Sequence, residues 1–372
     1  MSGGVDSSVT ASILKDAGYQ VQGLFMKNWE EDDGTEYCTA ITDLEDATAV
    51  CDKLDIPLHT ANFSAEYWDN VFADFLSEYE RGRTPNPDVL CNREIKFKQF
   101  SDYAKHLGAD WIATGHYVRI QPTPGEQYDV TSVAGEPTGP ILLKGEDQGK
   151  DQSYFLQAVP QHALRGCLFP LGSWQKPAVR AYAEERGLHN AKRKDSTGIC
   201  FIGERRFADF LNRYITSTPG DICDVQGRKV GEHQGLHHFT VGQRQGLAIG
   251  GLKGRAEAPW YVVRKDTERN RLTVSQDERD LAGYWLHASE ANWFIDVQFP
   301  LRCKAKIRYR QEDQDCEVTL AANGHLSVQF HQAQRGIAPG QFIAFYDRDI
   351  MLGGARIETR LEQTPTIQKQ KE

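Results

Sequence analysis

Three stretches carry residue types at spacings that could do chemistry. The first is SGGVDSS, Ser2 to Ser8. Gly3 and Gly4 permit positive φ and let backbone approach a ligand closely. Ser7 and Ser8 begin a helix whose Val5, Val9 and Ile13 share one face. Free N–H groups at a helix start, with hydroxyls beside them, make an anion site. There is no GK[ST], so this is not a Walker A loop, and no GxGxxG, so it is not a dinucleotide fingerprint. Without a lysine, backbone N–H groups and hydroxyls would hold the phosphates. Asp6 could cap the helix or help place Mg²⁺. The plainer reading is a capped surface helix after a turn.

The second stretch is PNPDVLC, which ends on Cys91. Pro85 and Pro87 stiffen a turn, and a long helix is expected to begin just after the cysteine. A thiol at a helix N-terminus has a lowered pKa and can act as a nucleophile. Asp88 is either a turn cap or a general acid–base. Cys200, in DSTGICFIGE, has polar residues before it and apolar ones just after. The alternative for each cysteine is a buried core thiol. The third stretch is LRCKAKIRYR. Arg302, Lys304, Lys306, Arg308 and Arg310 fall on one face, and Cys303, Ala305, Ile307 and Tyr309 on the other. Same-face neighbours lie about 6.6–6.8 Å apart, similar to successive phosphates along a nucleic-acid strand. Lys192, Arg193 and Lys194 add charge near Cys200. A solvated edge strand protected by its charges is the alternative.

These stretches need elements to position them. From Ser2 to about Asp195, strand-like and helical runs alternate, which implies a parallel sheet with crossover helices. VQGLFM, LHTANF and DWIATGHY read as strands, and DLEDATAVCDKLDI as a helix. In CNREIKFKQFSDYAKHLG, Ile95, Phe97, Phe100, Tyr103, Ala104 and Leu107 share one side of a helix that Gly108 ends. QPTPGEQYDVTSVAGEPTGP reads as a surface excursion. Past about Phe207 glycines multiply, and short strands suggest a small β-rich module. From about Asn270 the alternation suggests an antiparallel β-barrel, with Asn323-Gly324 as a hairpin turn. The tail QTPTIQKQKE reads as disordered. The expected division is 1–206, 207–270, 271–362 and a tail at 363–372.

Composition bounds the function. The 372 residues allow two or three domains. A formal charge of −9 argues against a generic polyanion binder but leaves room for a local basic surface. No apolar run is long enough to cross a bilayer, and no secretory pattern opens the chain. Eight cysteines then read as cytosolic thiols, and no CxxC pair suggests structural zinc. His233, His237 and His238 read as surface residues of a hairpin rather than metal ligands.

The loop SGGVDSS resembles the SGGxDS pyrophosphate loop of the N-type ATP pyrophosphatases, which split ATP to AMP and pyrophosphate, usually to adenylate a carbonyl oxygen. FMKNWEEDDG, GRTPNPDVLCNREIKF, ATGHY, KDQSYFL, DSTGICFIGER, GEHQGL, VGQRQGL, PWYVV and RYRQ extend this. Together they resemble the tRNA-specific 2-thiouridylases of bacterial and organellar type, in order along nearly the whole chain. The resemblance implies an α/β fold: a parallel-sheet ATP-pyrophosphatase (adenine nucleotide alpha hydrolase-like) domain, a small central domain and a C-terminal β-barrel. It implies 2-thiolation of the tRNA wobble uridine (U34) in Lys, Glu and Gln acceptors, with ATP and Mg²⁺. Cys200 would carry a persulfide, Cys91 would become disulfide-linked to it, and Asp88 would contact the target base as acid or base. Ser2, Gly3, Gly4, Asp6, Ser7, Ser8, Met26 and Gly115 would bind ATP. Asn86, Pro87, Asp88, His116, Lys150, Asp151, Gln152, Arg308, Tyr309 and Gln341 would contact tRNA. A sulfur-relay protein or cysteine desulfurase would supply sulfur to a cytoplasmic monomer. The family pattern has a short apolar strand before the loop, where only Met1 stands here. The alternatives are an amide-forming ATP pyrophosphatase and a non-catalytic RNA-binding or sulfur-carrier protein.

Overall fold

The computed structural model describes residues 1–31, 40–121, 139–195, 207–249 and 258–361. Cys200, most of the expected excursion after Gln121 and the C-terminal tail lie outside these residues.

In the N-terminal domain, Val5, Val9 and Ile13 do form one face of the helix Val5–Asp16. They pack with Val50, Leu171, Val179 and Leu188. Parallel pairing is present in two pieces: β1 (Gly23–Lys27) with β2 (Leu58–Asn62), and β3 (Ile112–Ala113) with a later strand. DWIATGHY thus yields only two strand residues before the chain turns through Gly115. A hairpin of β4 (Val118–Gln121) and β5 (Ile141–Lys144) follows, and β6 (Cys167–Leu168) is the parallel partner of β3. The largest core cluster is aromatic, with Tyr67, Phe72, Phe75, Tyr154 and Phe210 essentially inaccessible. Burying one such ring contributes about 1.5–3 kcal/mol.

The helix carrying Cys91 differs from expectation. It starts at Pro87, four residues before the cysteine, with proline in the first turn and Asn86 as N-cap. Cys91 has helical dihedrals, and the helix continues as a π-helical stretch, Cys91–Gln99, then Phe100–His106. Closing i→i+5 bonds, a π stretch turns the apolar face away from a 3.6-residue repeat. Ile95 and Phe97 therefore point inward at 0% and 3% exposure, whereas Tyr103 and Leu107 stand at 37% and 40%.

The central module is a four-stranded sheet of β7 (Gly220–Asp224), β8 (Lys229–His233), β9 (Tyr261–Asp266) and β10 (Arg271–Ser275), in the order β8-β7-β10-β9. Since β10 pairs with both β7 and β9, the sheet runs past the boundary expected at 270. His233 and His237 are buried, not on a hairpin surface. No group of three or more metal-ligating side chains occurs among the described residues.

The last six strands are β11 (Ala282–Trp293), β12 (Leu301–Lys306), β13 (Gln314–Leu320), β14 (Leu326–Arg335), β15 (Phe342–Asp347) and β16 (Ile350–Leu361). They run β11-β14-β13-β12-β15-β16, and β16 closes on β11 as a barrel. Asn323 and Gly324 make the β13–β14 turn, with Gly324 at φ 79°. The barrel is not a separate body: β5 of the N-terminal hairpin pairs with β16 through Leu143 and Ile350. No helix among the described residues is long and apolar enough to cross a membrane.

Candidate active site at the junction of three domains

The phosphate loop is held from behind by side chains distant in sequence. Gly3 takes φ 72°, while Gly4, at φ −79°, is the helix N-cap without a side-chain cap. Of the two glycines, only Gly3 needs its lack of a side chain for φ. Asn190 Nδ2 donates to the Gly3 carbonyl at 2.8 Å and to Ser8 Oγ at 2.9 Å. Ser7 and Ser8 hydroxyls both donate to the Gly4 carbonyl at 3.0 Å. Arg193 donates to the Gly3 carbonyl and pairs with Asp43 and Asp46, so it is an anchor rather than a loose cation.

Asp6 neither caps the helix nor stands open to a metal. Its carboxylate accepts the Tyr117 hydroxyl at 2.7 Å and both its oxygens accept Lys176 Nζ, at 2.7 and 2.8 Å. A divalent ion on Asp6 would have to displace that ammonium. Lys176 also reaches Asp195 at 2.9 Å, and Asp195 pairs with Lys150 at 2.7 Å and Arg180 at 2.9 Å. Burial opposes charge on Asp195, but hydrogen bonds from Lys150 and Lys176 outweigh it and hold the carboxyl down at about 2. The residues otherwise fit a nucleotide. An added Cβ at Gly115 would lie 2.9 Å from the Asp6 main chain and 3.0 Å from Ser7 N, so only glycine lets the β3 end approach the loop. Met26 lies near the C-terminal end of β1 and packs partly buried against the aromatic core.

Cys91 is 4% exposed within that core, so it is not in a polar turn. The segment leading to it is gripped by the other two domains. From the barrel, Gln341 Nε2 donates to the Thr84 carbonyl at 2.8 Å and the Pro85 carbonyl at 3.1 Å, and Thr84 N donates to Pro339 O at 2.8 Å. From the central module, Lys265 Nζ donates to Phe239 O at 2.7 Å and Arg83 O at 3.4 Å, and Thr84 Oγ1 donates to Thr240 Oγ1 at 3.3 Å. Burial pulls the Lys265 ammonium down to about 7. Under the grip, Glu78, 1% exposed, faces Arg83 at 3.6 Å and the buried barrel residue Arg356 at 3.7 Å.

Asp88 lies one helical turn before Cys91. Burial pushes its carboxyl up, and the Lys96 charge opposes this only in part. Lys96 also acts on His116, whose imidazole is driven well below its usual value, first by burial. His116 is thus neutral, 8% exposed, and hydrogen-bonded to Thr114 Oγ1 at 2.8 Å. Gln152 Oε1 accepts the next amide, Tyr117 N, at 3.0 Å. Asp151 is buried and accepts Gly145 N and Ser153 N at 3.0 and 3.1 Å, a structural use of its carboxylate. Tyr309 packs tilted against Phe155 with ring centroids 4.5 Å apart. Among the residues expected at tRNA, Gln341 holds Thr84 and Pro85, just before Asn86, Pro87 and Asp88, and Gln152 holds Tyr117, the neighbour of His116. Arg308 folds back, donating to Arg335 O at 2.9 Å and Gly336 O at 2.6 Å.

The basic face of β12 differs most from its expectation. The strand ends at Lys306 and lies between β13 and β15, so it is not an edge. Arg302 pairs with Glu317 at 3.0 Å, Lys304 with Asp315 at 3.4 Å, and Lys306 with Asp313 at 3.6 Å. Acids from β13 and the turn before it meet the row of cations.

Sequence reasoning missed Lys176, Asn190 and Lys265. Lys176 leaves one trace: it is a cation opening the helix Lys176–Glu185, whose first turn has no acid. That placement opposes the helix dipole. The remedy comes from Asp6 and Asp195, while Asp147 accepts Lys176 N at 2.8 Å.

A nucleotide-loop domain, a central barrel-like module and a closed C-terminal β-barrel define a three-domain architecture. Family models match each part: "tRNA methyl transferase HUP domain" over 1–204, "tRNA methyl transferase PRC-barrel domain" over 208–276 and "Aminomethyltransferase beta-barrel domain" over 285–357. The tRNA-specific 2-thiouridylase MnmA of Pseudomonas aeruginosa (strain LESB58) is 57% identical over 363 residues, covering 96% of this chain and 93% of its own. Its namesake in Pseudomonas entomophila (strain L48) is 57% identical over 369 residues, covering 98% and 95%. The chain belongs to the tRNA-specific 2-thiouridylase family.

Proposed function

We propose that the protein replaces the C2 oxygen of the wobble uridine of tRNA with sulfur. ATP supplies the adenylyl group that turns the oxygen into a leaving group, giving AMP and pyrophosphate. Ser2, Gly3, Gly4, Ser7 and Ser8 hold the phosphates through backbone N–H groups and hydroxyls. Lys176 pairs with Asp6 behind them, so Mg²⁺, which would offset phosphate charge, would be held by the phosphates rather than by Asp6. Gly115 and Met26 border the nucleoside.

Cys200 carries the persulfide, delivered by a sulfur-relay protein or cysteine desulfurase, and Cys91 is its disulfide partner. Asp195, five positions before Cys200, is tied through Lys176 to the phosphate loop. Asp88, its carboxyl raised by burial, keeps a proton to higher pH than an exposed aspartate and serves as acid or base at the uridine. Asn86, Pro87, Lys150, Gln152, Tyr309 and Gln341 border the tRNA. The observation that carries this reading is the grip on 83–85 from both the central module and the barrel, just before Asp88 and Cys91.

The test is nucleoside mass spectrometry of tRNA incubated with protein, ATP and a persulfide donor. Formation of 2-thiouridine, lost in Cys91→Ser and Cys200→Ser, is expected. Uridine left unthiolated by the wild-type protein with ATP and the persulfide donor both present would overturn the proposal.

A further inference from the structure

The barrel contains a second pair of thiols, separate from Cys91 and Cys200. Cys303 on β12 and Cys316 on β13 are direct partners in the antiparallel register. Their sulfurs lie 3.7 Å apart, and both are free thiols. Directly opposed residues in an antiparallel pair have Cα atoms about 4.5–5.5 Å apart, within the range of about 4.4–6.8 Å that a disulfide bridges. The two differ in access. Cys316 is 1% exposed in the barrel core, whereas Cys303 is only partly buried against it. An oxidant from solvent therefore meets Cys303 first, with Cys316 behind it as the resolving thiol. Flanking pairs, Arg302 with Glu317 and Lys304 with Asp315, hold the two strands in this register.

We propose that Cys303 and Cys316 form a redox-active dithiol that small-molecule disulfides convert to an intramolecular disulfide stapling β12 to β13. In the first step the Cys303 thiolate attacks one sulfur of the small disulfide. One S–S bond breaks, a mixed disulfide forms on Cys303, and one small thiol leaves. In the second step the Cys316 thiolate attacks Cys303 Sγ, and the second small thiol leaves. The protein loses two hydrogens and two electrons, and the small disulfide gains them. The thiol–thiol hydrogen bond with Cys316, and then burial, raise the Cys303 thiol well above its usual value. Exchange is therefore slow at neutral pH and quickens under mildly alkaline conditions, where more thiolate forms. The site does not depend on tRNA or ATP, so it stands apart from the proposed thiolation.

The experiment uses the full chain, folded, with glutathione disulfide as probe at mildly alkaline pH. Remaining thiols are alkylated and peptides mapped. A cross-linked Cys303–Cys316 peptide and a higher Tm than the reduced protein are expected, since closing a loop restricts the unfolded chain. In Cys316→Ala the reaction should stop at one glutathione on Cys303. In Cys303→Ala, Cys316 should remain unmodified. The proposal is overturned if both wild-type thiols are still alkylated, or if Cys303 keeps glutathione with Cys316 present.

Discussion

The phosphate loop at 2–8 and the basic stretch at 302–310 are both patterned polar stretches of the chain, and folding treats them differently. In the loop, the Ser7 and Ser8 hydroxyls turn onto the Gly4 carbonyl and backbone N–H groups start a helix, with anchoring side chains applied from behind by Asn190 and Arg193. In the strand, the groups on offer are side-chain charges, and β13 with its preceding turn supplies an acid for three of them. A site built on backbone geometry survives into the fold because the local chain itself sets the turn and the helix start. A site read from charge along one strand depends on which strand lies next to it.

The largest expected effect lies on the loop side. Lys176→Met leaves Asp6 and Asp195 without the cation between them, facing bound phosphates. Hydrogen bonds to charged groups contribute about 1.5–3 kcal/mol, so ATP affinity by calorimetry should fall about ten- to a hundredfold. Lys176→Arg should keep most of it. Equal affinity in Lys176→Met would break the contrast, since the loop would then need no charge support.

Next is the grip on the cysteine segment. Gln341→Ala leaves the Thr84 and Pro85 carbonyls without that donor. Thiolation should drop and Tm should fall by an amount equivalent to about 1–2 kcal/mol, with ATP affinity unchanged. A parallel loss of ATP affinity would mean the two halves of the site are not separable. On the strand side the effect should be small. Lys304→Gln removes an exposed pair worth under about 1 kcal/mol. The slope of log affinity for tRNA against log salt should move by less than the ~0.9 expected for one phosphate contact. A larger change would restore the strand as a backbone-tracking surface.

The smallest effect concerns pH. Burial, with His238, Lys265 and His233 adding to it, lowers the His237 imidazole to about 4. The unfolded chain, near pH 6.5 for histidine, binds this proton first. Stability is therefore full above pH 6.5 and declines as pH falls towards about 4. A flatter Tm profile across that window is expected for His237→Gln, and an unchanged profile would remove His237 as the cause.

What the sequence made legible follows the same division. SGGVDSS could be read because its residues are contiguous and act through local backbone. Val5 and Val9 could be read from a helical repeat, and the barrel from its alternation and from Asn323-Gly324. Lys176 could not, because its partner Asp6 is 170 positions away. The Cys91 environment was misread because a π stretch has no 3.6-residue signature and because the prolines that suggested a loop open a helix at Pro87. Asp151 and His116 lie in polar motifs, yet both are buried, Asp151 on backbone amides and His116 on Thr114. Spacing cannot distinguish such inward contacts from contacts with tRNA.

The central claim is that the phosphate loop and the gripped Cys91 segment serve one reaction on one tRNA. Pyrophosphate release with and without tRNA, in wild type and in Cys91→Ser, tests it most directly. The account predicts release that requires tRNA in both proteins, with 2-thiouridine formed only by the wild type. Pyrophosphate released at the same rate without tRNA would contradict it.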